Sequence, residues 1–143
     1  MATSEVGRLQ TSAKSSSNAS LELALAAARA AQDSRGRDVV VLDMRELTPI
    51  FDYFVVATGT SQRQLRAMSD DIDHALVDQF NEHQMRTEGY TNTKWILLDY
   101  GDVVIHLFDG DTRKYYALED LWGGAKRVPF EGAAPSTVQL HPK

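Results

Sequence analysis

Two adjacent apolar runs, separated only by Gly101-Asp102, constrain the fold more than any other feature of this sequence. The first run reads Trp-Ile-Leu-Leu-Asp-Tyr from residue 95, and the second reads Val-Val-Ile-His-Leu from residue 103. A short turn of Gly and Asp between runs of β-branched, aromatic and other apolar residues is typical of a β-hairpin. The sequence therefore predicts a hairpin over Lys94–Leu107.

The two faces of this hairpin differ in chemistry. Successive side chains of a strand point to opposite faces, and residues paired across the turn share a face. One face is apolar apart from a tyrosine hydroxyl, so we expect it to pack against helices. Its residues are Ile96, Leu98, Tyr100, Val103, Ile105 and Leu107. The other face combines apolar side chains with an acid and a histidine, at Trp95, Leu97, Asp99, Val104, His106 and Phe108.

Two interpretations of the second face remain open. It is either a second buried face beneath another helix or an exposed apolar patch with a polar edge, which is the kind of surface that binds another protein. In the second case Trp95 is the natural anchor, because tryptophan is enriched among the residues that dominate binding energy. The spacing of the residues does not separate the two interpretations.

Patterns elsewhere predict the elements that surround the hairpin. Two short apolar runs at 39–42 and 53–57 predict buried strands, and their connection of about seven residues around Pro49 favours antiparallel pairing. A weakly alternating stretch over Gln84–Tyr90 predicts an edge strand, and short helical segments are expected over Asp111–Trp122. The order of elements predicts an α/β (α+β) fold in which a mixed sheet of about five strands is flanked by helices.

Two longer helices are predicted before the hairpin. Ser20 is a good N-cap for an alanine-rich helix that extends to Gln32 and places Leu21, Leu25 and Ala28 on one face. Ser61 and Gln64 match a capping box, in which each side chain accepts a hydrogen bond from the other residue's backbone N–H. An apolar stripe follows at Leu65, Met68, Ile72, Leu76 and Phe80. Four acids lie off this stripe and are interpreted as a solvated face, at Asp70, Asp71, Asp73 and Asp78.

The length of 143 residues suits one domain with a single core. We expect a disordered leader over residues 1–19, an ordered domain over residues 20–127 and a flexible, proline-bearing tail over residues 128–143. No apolar run approaches the roughly 20 residues needed to span a bilayer. The leader lacks the apolar stretch of a secretory signal and has only a faint likeness to a transit peptide, which favours a cytoplasmic protein over an organellar one.

Charge and cysteine content narrow the classes of function. The chain has 15 basic and 20 acidic residues, a formal net charge of -5. This balance argues against non-specific nucleic-acid binding, which needs a surplus of Lys and Arg, and it suits a basic protein partner, although it also simply favours solubility. The absence of cysteine excludes disulfides, thiolate metal sites and Cys nucleophiles.

Catalytic chemistry is weakly supported. A strand followed by Gly59-Thr60-Ser61 and a helix is similar to the start of a nucleotidyltransferase domain, but those enzymes need paired carboxylates on the following strand to hold two metal ions. The strand expected next carries no such pair, and Asp109 and Asp111 are expected to form a turn or a helix cap. The histidines, at His74, His83, His106 and His141, show no metal-ligand spacing. The sequence therefore predicts no catalytic residue, no metal site and no cofactor.

Several motifs together resemble one known family. They are Asp52-Tyr53-Phe54-Val55-Val56-Ala57-Thr58-Gly59, Ser61-Gln62-Arg63-Gln64, Glu88-Gly89, Trp95-Ile96-Leu97-Leu98-Asp99-Tyr100-Gly101-Asp102-Val103-Val104-Ile105-His106, Arg113, Tyr116-Ala117-Leu118-Glu119 and Leu121-Trp122. This string closely resembles the Iojap-like ribosomal silencing factors over residues 20–125, and the combination is too specific for a chance match.

The resemblance implies a nucleotidyltransferase-like fold without catalytic activity. It implies binding to the large ribosomal subunit through ribosomal protein L-fourteen, where a bound protein blocks joining of the small subunit and represses translation. It also implies homodimers in many members and, in organellar relatives, a role in large-subunit assembly. An assembly factor and a nucleotidyltransferase-type enzyme remain the alternative functions.

The resemblance also implies a docking set on the hairpin. The matching positions are Trp95, Leu97, Asp99, Tyr100, Asp102 and His106. For most of these residues the strand alternation agrees with a position on the second face or at the turn. Tyr100 is the exception, since the alternation assigns it to the core face.

Overall fold

The structure is a computed structural model that describes residues 19–91, 94–116 and 123–131. A first helix, α1, covers residues 19–33. The other elements, in chain order, are β1 (Arg37–Asp43), β2 (Tyr53–Gly59), α2 (Gln62–Phe80), β3 (Arg86–Glu88), β4 (Trp95–Asp99), β5 (Val103–Asp109), α3 (Gly110–Tyr116) and β6 (Lys126–Arg127).

The strands form one mixed sheet in the order β3-β4-β5-β2-β1-β6. The central strands β2 and β5 are parallel, and every other neighbouring pair is antiparallel. This architecture confirms the predicted fold class and the antiparallel pairing of the first two strands. The sheet has six strands instead of about five, because the two-residue strand β6 pairs with the end of β1, where Leu42 lies opposite Arg127.

The predicted hairpin is confirmed as β4 and β5. Ile96 pairs with Leu107 and Leu98 pairs with Ile105, which is the register expected from a turn at Gly101-Asp102. The face predicted to be the core face is buried in the main hydrophobic cluster, at Ile96, Leu98, Tyr100, Val103, Ile105 and Leu107. We call this side of the sheet, which α2 and α1 cover, the inner face.

Helix α2 supplies the larger side chains that pack on the inner face. Its stripe is confirmed, with Leu65, Met68, Ile72 and Leu76 buried and Phe80 packed at the edge of the cluster. Helix α1 contributes small side chains instead, which allow its backbone to approach the sheet closely. They are Ala24, Ala27, Ala28 and Ala31, all without exposed surface. Leu21 and Leu25, predicted on the same face as Ala28, lie half-buried at its edge.

Two capping predictions need correction. Ser20 is not an N-cap, because α1 already includes Ala19, and Ser20 is buried within the helix. Ser61 does cap α2, since its Oγ accepts from the Gln64 backbone N–H at 3.1 Å. The reciprocal bond differs, because Gln64 Oε1 accepts from the N–H and the hydroxyl of Thr60. The Gln64 side chain therefore reaches back to Thr60, the residue before the N-cap, and not to Ser61 as predicted.

The acidic side of α2 is more structured than a solvated face. Asp71 and Asp70 accept hydrogen bonds from the hydroxyls of Ser34 and Tyr90. Asp73 accepts from the Tyr100 hydroxyl at 2.6 Å. These acids therefore tie α2 to the segment after α1 and to the hairpin, although Asp70 and Asp71 remain exposed to solvent.

The chain stays packed beyond the predicted domain boundary at residue 127. The Val128 N–H donates to the Val41 carbonyl at 2.8 Å, and the side chains of Val128 and Phe130 pack at the edge of the main cluster. The predicted leader up to residue 18, the predicted helical segment Leu118–Trp122 and the tail from residue 132 lie outside the described residues.

Candidate partner-binding face

The side of the sheet opposite α1 and α2, which we call the outer face, contains a second and smaller hydrophobic cluster. Its buried members are Val40, Leu42, Met44, Phe54, Val56 and Phe108, with Phe51, Trp95, Val104 and Ala125 packed against them. The sequence left open whether this face is buried or is an exposed apolar patch, and each interpretation describes a different part of the face. The part on β1 and β2 is buried, as are His106 and Phe108 on β5, whereas Val104 on β5 is half-buried. On β4, Trp95, Leu97 and Asp99 are also only half-buried and reach solvent.

An aromatic cluster joins the buried and half-exposed parts. The His106 ring lies between Phe54, which meets it edge-on at a centroid distance of 4.7 Å, and Phe108, which is parallel to it at 6.0 Å. The Trp95 ring packs against Phe108 at 4.9 Å, and Phe51 stacks on Phe54 at 4.7 Å. Such contacts between aromatic rings add stability beyond that of the buried apolar area. The Trp95 ring therefore packs against a well-packed cluster.

Trp95 and His106 also share a hydrogen bond. The Trp95 Nε1–H donates to His106 Nδ1 at 3.1 Å. An Nδ1 atom that accepts is unprotonated, so the imidazole is neutral and carries its proton on Nε2. His106 is only 5% exposed, and this burial lowers its pKa from 6.5 to about 4. Within the described residues, Nε2 has no hydrogen-bond partner.

Leu97 and Asp99 continue the exposed strip along β4. Leu97 lies between Glu88 of β3 and His106 of β5 in the sheet, and its side chain is half-buried. Asp99 Oδ1 accepts from the Gly101 N–H at 2.8 Å, while Oδ2 lies 3.7 Å from an Arg86 guanidinium nitrogen. The carboxylate is therefore held in place by the turn and remains partly open to solvent.

The turn presents Asp102, whereas Tyr100 points inward. The Asp102 carbonyl accepts from the N–H groups of Asp52 and Tyr53, which fixes the turn against β2, and the residue is exposed. Tyr100 is buried on the inner face, and its hydroxyl donates to Asp73. Burial and this hydrogen bond to a carboxylate both raise the pKa of Tyr100 well above its ordinary value. The strand alternation therefore placed Tyr100 correctly.

The structure thus divides the six sequence-derived docking residues into two groups. Trp95, Leu97, Asp99 and Asp102 reach solvent, at the positions that the alternation predicts. Tyr100 and His106 are 6% and 5% exposed and cannot form more than marginal contact with another molecule. The sequence alternation did not reveal the burial of His106, because that burial depends on Phe54 and Phe108 from two other positions in the sheet.

In the Gly59-Thr60-Ser61 segment, which is similar to the start of a nucleotidyltransferase domain, side chains of the segment and of α2 accept hydrogen bonds from the backbone N–H groups. The Gln64 N–H is taken by Ser61 Oγ, and the Thr60 N–H is taken by Gln64 Oε1. Asp109 Oδ1 accepts from the Thr112 N–H at 2.8 Å, so Asp109 caps α3 as predicted. In the described part of the chain no cluster of three potential metal ligands occurs, and no helix there is long and apolar enough to cross a membrane.

An anchor that the sequence did not reveal fixes α3. One guanidinium nitrogen of Arg113 donates hydrogen bonds to the Asp38 carbonyl and to the Thr58 hydroxyl, the latter at 2.7 Å. Asp38 sits at an irregularity in the pairing of β1 with β2 and has a positive φ of 50°. Arg113 matches a family position, but its two partners are 75 and 55 residues away in the sequence, so no local signal could identify these contacts.

Comparison with known proteins gives a consistent assignment. A family model described as "Ribosomal silencing factor during starvation" matches residues 17–142. The ribosomal silencing factor of Halalkalibacterium halodurans is 40% identical over 111 residues, which cover 78% of this chain and 94% of the relative. A crystal structure of a Chromobacterium violaceum protein superposes with a TM-score of 0.69 at 34% identity, covering 81% of this chain and 95% of the other.

A more distant mouse relative is named "Mitochondrial assembly of ribosomal large subunit protein 1". It is 34% identical over 97 residues, which span 64% of this chain and 41% of the relative. The family match covers most of the sequence, and the crystal structure shares the same fold. This chain belongs to the ribosomal silencing factor family.

Proposed function

We propose that this protein binds the large ribosomal subunit through ribosomal protein L-fourteen and prevents association with the small subunit, which represses translation. The observation that carries the proposal is the half-buried, solvent-reaching strip of Trp95, Leu97 and Asp99 on β4, next to the exposed Asp102. The strip packs against a hydrophobic cluster and is bordered by polar groups. This is the composition of a protein interface.

The charges at the strip indicate what kind of partner fits. Asp99 and Asp102 lie at the turn end of the strip, and the chain carries a formal net charge of -5. Opposite charges steer two proteins together and disfavour wrong partners more than they add to affinity. A basic ribosomal protein with an apolar patch matches this surface, whereas ribosomal RNA is repelled from it.

Within this set the residues have different roles. Trp95 and Leu97 are the anchors, because they offer apolar area that becomes buried on contact. Asp99 and Asp102 supply the polar rim. Tyr100 and His106 support the strip from inside the fold, since neither reaches the surface.

Repression by this mechanism requires no chemistry. The two ribosomal subunits join over a large surface, and a rigid domain bound within that surface excludes the second subunit sterically. The protein therefore acts as a binding module and not as an enzyme, without cofactor or metal. We also propose a cytoplasmic location, a leader and, beyond Phe130, a tail that lie outside the binding domain, and a homodimer as an additional state of the free protein.

Sedimentation of purified ribosomal subunits through a sucrose gradient tests this proposal. The wild-type protein is expected to co-sediment with large subunits and to prevent joining of small subunits, whereas Trp95→Ala is expected to do neither. Ile50→Ala is a matched control, because Ile50 is 75% exposed in the loop between β1 and β2 and is outside the strip. A wild-type protein that binds but leaves subunit joining unchanged contradicts the repression mechanism.

One observation favours a second function. The mouse relative's name refers to assembly of the ribosomal large subunit, and an assembly factor can use the same docking strip at an earlier time. Fractionation of growing cells separates the two functions. A protein found on mature large subunits supports repression of joining, whereas a protein confined to immature particles supports assembly.

A further inference from the structure

We infer that His106 is a positioning residue for docking: its neutral imidazole accepts the indole N–H of Trp95 and holds that ring in the orientation that the partner meets. This inference rests on the proposed function. It goes further by assigning a role to a buried residue and by specifying what chemistry Trp95 presents to the partner.

The geometry restrains the Trp95 ring on two sides. Its Nε1–H is bonded to His106 Nδ1 at 3.1 Å, and its face packs against Phe108 at 4.9 Å. His106 is itself held between Phe54 and Phe108, so the acceptor cannot follow a rotation of the indole. A side chain ordered before binding loses less entropy on contact, an effect of about 2- to 10-fold in affinity for one side chain.

Packing alone does not explain a histidine at this position. The surrounding cluster is apolar, and an aliphatic side chain there would avoid a buried N–H that lacks an acceptor. The imidazole offers one property that an aliphatic side chain lacks, namely an acceptor nitrogen directed at the Trp95 indole. The histidine therefore orients Trp95, although its own Nε2–H has no acceptor among the described residues.

The hydrogen bond also limits what Trp95 can offer a partner. Indole has a single donor, and His106 already accepts from it. A partner can therefore meet only the accessible part of the ring, beside the half-buried Leu97 and on the same face as Asp99. The matching partner element is an apolar side chain or the stem and cation of a Lys or Arg, which can pack on the ring and approach the carboxylate.

A double-mutant cycle on binding to purified large subunits tests the inference. His106→Leu is expected to weaken binding about 3- to 10-fold in the wild-type background. In the Trp95→Phe background, which has no indole N–H, His106→Leu is expected to change binding less than 2-fold. His106→Asn places an amide oxygen near the position of Nδ1 and is expected to bind within about 3-fold of wild type, which a role in packing alone does not predict.

Nitrogen-15 NMR of the imidazole supplies a readout that does not depend on the ribosome. At pH 7 the inference requires a neutral ring with the proton on Nε2, and an indole N–H signal of Trp95 that shifts in His106→Leu. Trp122→Phe identifies which of the two indole signals belongs to Trp95.

The outcomes separate the inference from the proposed function. If wild type does not bind large subunits, both are wrong. If wild type binds and Trp95→Ala does not, the proposed docking strip stands. In that case the inference is overturned by His106→Leu binding as tightly as wild type, by equal losses in the two backgrounds, or by a proton on Nδ1.

Discussion

The two faces of the β4–β5 hairpin are built from alternate residues of the same strands, yet they differ in burial and in chemistry. On the inner face, Ile96, Leu98 and Ile105 have no exposed surface and pack among α1, α2 and the sheet. On the outer face, Trp95 and Leu97 are half-buried and reach solvent, and Trp95 packs against the smaller hydrophobic cluster. In β4 the even-numbered residues therefore stabilise the core, while the odd-numbered residues form the surface that we propose binds the partner.

The sharpest test of this division compares two neighbouring leucines. Leu98→Ala removes fully buried area and leaves a cavity, so we expect it to lower the free energy of unfolding by about 2–5 kcal/mol. Leu97→Ala removes a half-buried side chain and is expected to cost about 1 kcal/mol. Chemical denaturation measures both values.

Ribosome binding is expected to reverse the order of these two variants. Leu97→Ala is expected to lose most of its affinity for large subunits, whereas the folded fraction of Leu98→Ala is expected to retain it. Equal effects of the two variants on both properties would falsify the division between the faces.

The next largest expected effect is the pH dependence of stability that comes from His106, which is buried in the outer face. Because the pKa of His106 is lowered from 6.5 to about 4, the unfolded chain binds this proton more tightly than the folded one. The neutral His106 therefore makes its full contribution to the free energy of unfolding above pH 6.5. This contribution is lost as the pH falls from 6.5 to 4, and the loss is about 3 kcal/mol in total.

Comparison of wild type with His106→Leu isolates this contribution from the titration of the carboxylates. Between pH 7 and pH 4.5 the free energy of unfolding of wild type is expected to fall by about 2–3 kcal/mol more than that of the variant. Parallel pH profiles would mean that His106 is protonated in the folded state or is not buried.

The smallest expected effect lies at the boundary between the faces, at Tyr100. Tyr100→Phe removes the hydrogen bond to Asp73 but keeps the buried ring, so we expect a loss of about 1 kcal/mol of stability and no change in ribosome binding. Denaturation and sedimentation of the same sample provide the two values. A clear loss of binding at unchanged stability would instead support Tyr100 as a direct contact, as the family resemblance implies.

The features that depend on local alternation could be predicted from the sequence. Features that depend on contacts between residues far apart in the chain could not. The hairpin, its register and the inward position of Tyr100 follow from strand parity and a two-residue turn. The burial of His106 depends on Phe54, which the parallel pairing of β2 with β5 brings next to it, and strand parity cannot report this pairing.

The capping errors have a similar cause. Ser20 has the composition of an N-cap, but the helix includes Ala19 and Ser20 packs inside the fold, so tertiary packing overrides the local preference. Gln64 was expected to bond the Ser61 N–H, whereas its oxygen accepts from Thr60 and its amide nitrogen donates to the Arg35 carbonyl at 3.0 Å. The second contact joins segments 29 residues apart and determines where the side chain points.

Site-specific photo-crosslinking to purified large subunits tests the central claim most directly, that the outer face of β4 is the surface that meets the ribosome. A photoreactive phenylalanine analogue at Glu88, which is exposed and lies opposite Leu97 in the sheet, is compared with the same analogue at the exposed Arg63 of α2. We expect a crosslink to ribosomal protein L-fourteen from position 88 and none from position 63. A crosslink to that protein from position 63 alone would contradict it.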